Sequence, residues 1–232
     1  MPDAIDNTVN SFMVNIKRIE DELQRDLERL AYKMNKMTDT ELILTTKRLN
    51  FLQELVDKGY GKEINNLMGE YDSLLAKAVV EANKRGVVPA GTETVNALQV
   101  LKDLNTETLL GRASAWSNEM KNLMFSNIYS GTNIRSVVSA MRDTQLATHQ
   151  LNVAANTGLR QFSDLSRYSM FKGVDVKWTY VGPQDDRTRP ECASTHNNEP
   201  ALGYTEAQVN NDSGTPFGIR GGFNCRHSWM VL

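Results

Sequence analysis

Between Val9 and Met37 the apolar residues fall on one narrow helical stripe. Val9, Phe12, Ile16, Ile19, Leu23, Leu27, Leu30, Met34 and Met37 step by 3, 4, 3, 4, 4, 3, 4 and 3. This is a heptad seam with one four-residue insertion between Leu23 and Leu27, of the kind that locally unwinds a coiled coil. It predicts one long helix whose seam must meet another helix, in the same chain or in a neighbouring one. The chain is therefore expected to be mainly α, with long N-terminal helices forming a helical bundle or a coiled-coil-like arm.

Helical grammar continues to about residue 171. Thr38 and Glu41 have the spacing of a capping box, opening a helix with Leu42, Leu49, Leu52 and Val56 that stops at Gly59. Ile64, Leu67, Tyr71, Leu74 and Ala78 predict a third helix, ending near Gly86. Residues 87–91, with Pro89, read as a linker. Thr92 is expected to cap a short helix to Leu101, and Asn105 or Thr106 another bearing Leu109, Trp116, Met120 and Leu123. Gly131-Thr132 reads as a stop followed by a cap for a helix with Ile134, Val137, Val138 and Met141. His149 falls on a stripe with Leu146 and Val153, where a packed or half-exposed helix histidine is expected.

From residue 172 the grammar changes, which divides the chain into a helical region, 1–171, and a small loop-rich α+β module, 172–232. Seven of the 15 glycines and four of the 6 prolines lie in this tail. Val174, Val176, Trp178 and Tyr180 alternate with polar residues, as do Phe223, Cys225, His227 and Trp229, predicting two strands. About sixty residues bury little core of their own, so such a module commonly needs a metal, a disulfide or a partner.

Both cysteines and two of the 3 histidines lie in that tail. Cys192 and His196 are one helical turn apart, or together on a tight loop. Cys225 and His227 share one face of a strand. Two sulfur and two nitrogen ligands suit a closed tetrahedral zinc site, so Cys192, His196, Cys225 and His227 are candidate ligands of a structural zinc. The same residues also read as two buried thiols with two loop histidines, or as a Cys192–Cys225 disulfide, which a reducing cytoplasm disfavours. Asp185, Asp186, Arg187 and Arg189 could act as acid, base and anion clamp, but turn chemistry is the simpler reading. There Asp185 bonds local backbone and Arg187 pairs with a neighbouring carboxylate.

A formal net charge of -2 gives no global field favouring nucleic acid or an anionic membrane. The N-terminus has no basic start followed by an apolar run, and no stretch approaches a membrane span. These features predict a soluble protein made in a reducing cytoplasm. Motifs for phosphate loops, nucleophile elbows or zinc proteases do not occur.

A Trp-bearing strand (Trp178), then Arg187-Thr188-Arg189-Pro190-Glu191-Cys192 after Asp185 and Asp186, then Phe223-Asn224-Cys225-Arg226-His227, resembles the Mu-F-type phage head morphogenesis family. Tyr129-Ser130-Gly131 and the helix from Ile134 to Met141 are similar to the helices preceding the tail in that family, so the resemblance covers about residues 125–232. The chain departs from the pattern in having Gly221, Gly222 and Phe223 where a histidine is frequent, and His227 where a cysteine is frequent. The resemblance implies a structural minor head protein of a tailed bacteriophage, not an enzyme. It implies association with the portal protein and other head proteins, with homo-oligomers around the portal and contact with packaged DNA, and no membrane. The implied location is the virion head, assembled in the host cytoplasm. Rival readings are a zinc-dependent nuclease or hydrolase using Asp185 or Asp186 with His196 and His227, and a helical DNA-binding adaptor.

Overall fold

The computed structural model describes residues 4–88 and 91–232, and Pro89 of the expected linker lies outside them. Among the described residues the chain is mainly helical, with nine helices and one two-stranded sheet. It forms two compact units, one of Met1–Asp6, Met68–Thr106 and Val153–Leu232, the other of Asn7–Leu67 and Glu107–Asn152. No described helix is long and apolar enough to cross a membrane.

The second unit holds most of the N-terminal seam. Helix α1 (Ala4–Met34) buries Val9, Phe12, Ile16, Ile19, Leu23, Leu27 and Met34. Ala31, not Leu30, carries the stripe past the insertion, because Leu23, Leu27 and Ala31 stack at four-residue intervals while Leu30 turns aside. Met37 falls in the turn after the helix. The Glu20 carboxylate is buried and accepts the backbone N–H groups of Leu146 and Ala147 at 2.5 and 3.3 Å. It thereby satisfies donors that precede a helix start.

Thr38 and Glu41 do form the capping box of α2 (Asp39–Arg48). The helix expected to reach Gly59 is broken, however. Asn50 caps a separate α3 (Phe51–Asp57), its side chain accepting Gln53 N–H at 3.2 Å. The restart changes the buried face, so Phe51 and Leu55 enter the core in place of Leu49, Leu52 and Val56. Helix α4 (Tyr60–Lys84) buries Ile64, Leu67, Tyr71, Leu74 and Ala78 as the periodicity requires.

The two helices expected around Asn105 are one, α5 (Thr92–Tyr129). Asn105 has its side-chain Nδ2 buried without a hydrogen-bond partner, and the Thr106 hydroxyl donates back to Lys102 O at 2.9 Å, so neither caps a new start. Met124 rather than Leu123 is buried near its end. Gly131 sits at φ 73, the left-handed conformation of a helix stop, and Asn133 rather than Thr132 caps α6 (Ile134–Asp143). Helix α7 (His149–Phe171) opens at His149, which is exposed.

In the first unit, β1 (Trp178–Val181) pairs antiparallel with β2 (Ser228–Val231), in register Trp178 with Val231 and Tyr180 with Trp229. Both strands are shorter than expected: Val174 and Val176 precede β1, and Phe223, Cys225 and His227 precede β2 in irregular backbone. Between the strands lie α8 (Pro190–Asn197) and α9 (Glu206–Asn211). Both open edges of the sheet are occupied, which prevents further strand addition. Trp178 exchanges two backbone hydrogen bonds with Tyr204. On the other edge Arg167 donates to Trp229 O at 2.7 Å and Arg85 to Val231 O at 3.1 Å. The core around Trp178, Tyr180, Phe217 and Trp229 also contains Ala78 and Ala82 of α4 and Met170 and Phe171 of α7.

Candidate metal centre

Pro190 occupies the first turn of α8, where its missing N–H costs nothing, and the helix sets Cys192 and His196 one turn apart on one side. The irregular segment ahead of β2 supplies Cys225 and His227. Cys192 Sγ lies 3.7 Å from Cys225 Sγ, and Cys225 Sγ lies 3.7 Å from His227 Nδ1. One ligand atom from each of these three buried residues falls within 4.8 Å of the others. Both thiols are free. Two thiols and an imidazole at this spacing could hold a metal ion of zinc's preference.

His196 stands beside this group rather than in it. Its ring centroid is 5.1 Å from that of His227 and 5.5 Å from that of Tyr180. The Nε2 atoms of His196 and His227 are both buried with no hydrogen-bond partner. Unpaired imidazole nitrogens beside two buried thiols are the signature a bound cation would explain. The donor set therefore fits a metal, with His196 adjacent as the candidate for a fourth position.

Residues that sequence reasoning missed build the walls. Tyr180 stacks on His227 at 5.1 Å and 13°, and its hydroxyl is 3.5 Å from each sulfur. Gly221 passes so close that a Cβ there would overlap Cys192 Sγ and stand 3.1 Å from Cys225 Sγ. A Cβ on Gly182 would likewise run into the His227 ring. Arg220, in the left-handed region at φ 53, donates to Cys225 O at 3.2 Å and to His227 O at 3.1 Å. Its own counter-charge is Asp164 of α7, fully buried at 3.6 Å, with Arg167 at 3.7 Å on the other side. Tyr180 left a trace in the sequence as the next inward position after Trp178, and Gly221 as a departure from the family pattern. Arg220 and Asp164 carry no local pattern that would link them.

Burial pushes the Cys225 thiol up, but hydrogen bonds to His227 and Tyr180 and the Arg220 charge outweigh it and bring it down to about 6. Cys192 moves the other way, mainly through burial, so thiolate character concentrates on Cys225. Burial, then the neighbouring His227 charge, lowers His196. The Cys225 and His196 directions leave a ready thiolate and a neutral imidazole, the forms in which these groups ligate metals, whereas Cys192 stays a thiol until a metal displaces its proton.

The Asp185–Arg189 stretch is a charged turn. Asp185 accepts Arg187 N–H at 3.0 Å and takes a bidentate pair from Arg226, not from Arg187, which holds its carboxyl well below the usual range. Asp186 is exposed. Arg189 donates to Gly221 O and, at 2.6 Å, to Phe223 O, bracing the loop that covers the thiols.

Burial raises Asp164 to about 7, against the pull of Arg220 and Arg167. The native state then binds a proton that the unfolded chain, with its ordinary aspartate near 3.8, has released. Stability is therefore expected to fall as pH rises from about 4 to about 7. Asp164→Asn should flatten that part of the curve, as read by urea unfolding across the range. An unchanged slope would place the titration elsewhere.

Residues 118–230 match the family described as Phage Mu protein F like protein, a span that includes Cys192, His196, Cys225 and His227. No curated protein and no solved structure matches the chain.

Proposed function

Starting from the match of residues 118–230 to the Phage Mu protein F like family, which implies a phage head morphogenesis protein, we propose that the chain is a structural minor head protein at the portal vertex. The family match is the observation that carries this reading. Portal protein and other head proteins are its partners, and the virion head, assembled in the host cytoplasm, is its destination. Copies around the portal and contact with packaged DNA are part of the same proposal. The role is architectural rather than catalytic.

Within it, zinc bound by Cys192, Cys225 and His227, with His196 as fourth ligand, staples the 172–232 module. The buried three-residue cluster and the two unpartnered imidazole nitrogens support this. When bound, the ion supplies cross-linking between α8 and the segment leading into β2. Tyr180 and Gly221 exclude water from the thiols, and Arg220 holds the Cys225 and His227 carbonyls in place.

The test is co-purification with the portal protein of the same virus, together with mass spectrometry of mature particles. The chain is expected in both, and absence from both would remove the head-protein reading. Metal-dependent DNA cleavage that disappears in His227→Ala would instead assign a zinc nuclease.

A further inference from the structure

The sulfurs of the candidate metal centre have a second chemistry open to them. Cys192 and Cys225 are the chain's 2 cysteines, both are free thiols, and their Sγ atoms stand in contact at 3.7 Å. A disulfide holds its sulfurs about 2.0 Å apart, so about 1.7 Å of approach remains. Rotation of both side chains about χ1 supplies it.

The surroundings leave room for that approach and a way in for a reagent. Gly221 has no Cβ, and a Cβ there would overlap Cys192 Sγ and stand 3.1 Å from Cys225 Sγ. Tyr180 stands against the sulfurs with its hydroxyl 3.5 Å from each. A cavity of about 200 Å3 that neither residue lines reaches both cysteines between Arg187, Arg189, Asn224 and Arg226. Cys192 and Cys225 are only 1% and 4% exposed, so the way in suits a molecule the size of hydrogen peroxide and not a second protein. A bond between the sulfurs would also join the same two elements as a shared ion, α8 and the segment leading into β2.

We propose that Cys192 and Cys225 exchange one staple for another, a peroxide converting their zinc-bound thiolates into a Cys192–Cys225 disulfide with release of the ion. The inference rests on the reading of these residues as a zinc site. One sulfur attacks a peroxide oxygen, the O–O bond breaks, and a sulfenic acid forms as hydroxide leaves. The second thiolate attacks that sulfur, forming the S–S bond and expelling a second hydroxide. Two protons from solvent turn the hydroxides into water. The sulfurs together lose two electrons, which the peroxide gains. The ion leaves because the disulfide removes both of its thiolates, and His196 and His227 are left as free imidazoles. On the head-protein reading the chain is made in a reducing cytoplasm and ends in a particle outside it, so zinc serves assembly and the disulfide serves the released particle.

The test titrates the full chain, purified reduced with its zinc, with hydrogen peroxide. A chromogenic chelator reads zinc release, thiols are counted after denaturation, and non-reducing peptide mapping reads the linkage. Zinc and thiols are expected to fall together, about one ion for each two thiols, with the Cys192 and Cys225 peptides joined within one chain. A phosphine reductant with added zinc should restore both. The disulfide form should melt above the reduced chain held in chelator, because a cross-link between the same elements persists. Sulfinic acid as the main product, a cross-link between chains, or zinc retained through about a tenfold excess of peroxide would overturn the exchange. So would a disulfide form that melts no higher than the chelated chain. Absence of zinc before peroxide is added would overturn the zinc reading and the exchange with it, at a step that precedes any oxidation.

Discussion

Cys225→Ser is expected to strip the chain of about one zinc and to cost several kcal/mol of stability, since structural zinc contributes roughly 10–16 kcal/mol of apparent binding free energy in small domains. The cost should be below that range here, because the core around Trp178 and Trp229 draws apolar partners from α4 and α7 as well. Cys225 is the sensitive position for a physical reason. It touches Cys192, His227 and Tyr180 at once, and its thiol is the one driven toward thiolate. Metal content of protein purified without chelator or metal-affinity tag, paired with thermal unfolding, reads both effects. Chelation of the wild type should reproduce the mutant. A metal-free wild type with two titratable thiols and an unchanged melting temperature in Cys225→Ser would eliminate zinc and leave two buried thiols.

The second large effect is expected at Arg220. Arg220→Met removes the donors to Cys225 O and His227 O and leaves the fully buried Asp164 with Arg167 at 3.7 Å as its remaining cation. Breaking a buried pair from one side costs up to about 3–5 kcal/mol through the uncompensated partner, and less here to the extent that Asp164, already raised to about 7, takes up a proton. Asp164→Asn in the same chain should recover part of that loss, giving a coupling of about 1–3 kcal/mol in a double-mutant cycle. Urea unfolding of the four proteins measures it. Strict additivity would mean that the two residues do not act as a unit, and that Arg220 serves the carbonyls alone.

The parts of this protein that were legible in the sequence are those written at short range. The seam from Val9 to Met34, the Thr38–Glu41 box and the one-turn spacing of Cys192 and His196 all follow from a 3.6-residue repeat or from a cap four residues long. Errors appear where a short-range signal had two outcomes. Asn50 was free to cap and broke a helix that apolar spacing would have continued, whereas Asn105 had the same chemistry but lies inside the unbroken α5.

The compound tail pattern carried the family resemblance, since matched motifs need no knowledge of folding. The centre itself depended on tertiary structure. Cys192 and Cys225 meet across 33 residues of turn-rich chain, and no periodicity specifies where such a loop closes. Tyr180 over the sulfurs and Gly221 against them are consequences of that closure, as is Arg220 on two carbonyls with Asp164 behind it. Repeats and caps are decided by neighbours along the chain, so the sequence alone determined most of the helical stretches, though not every break between them. Burial and charge pairing are decided by whichever surfaces the fold brings together, so only the tertiary structure could assemble the site.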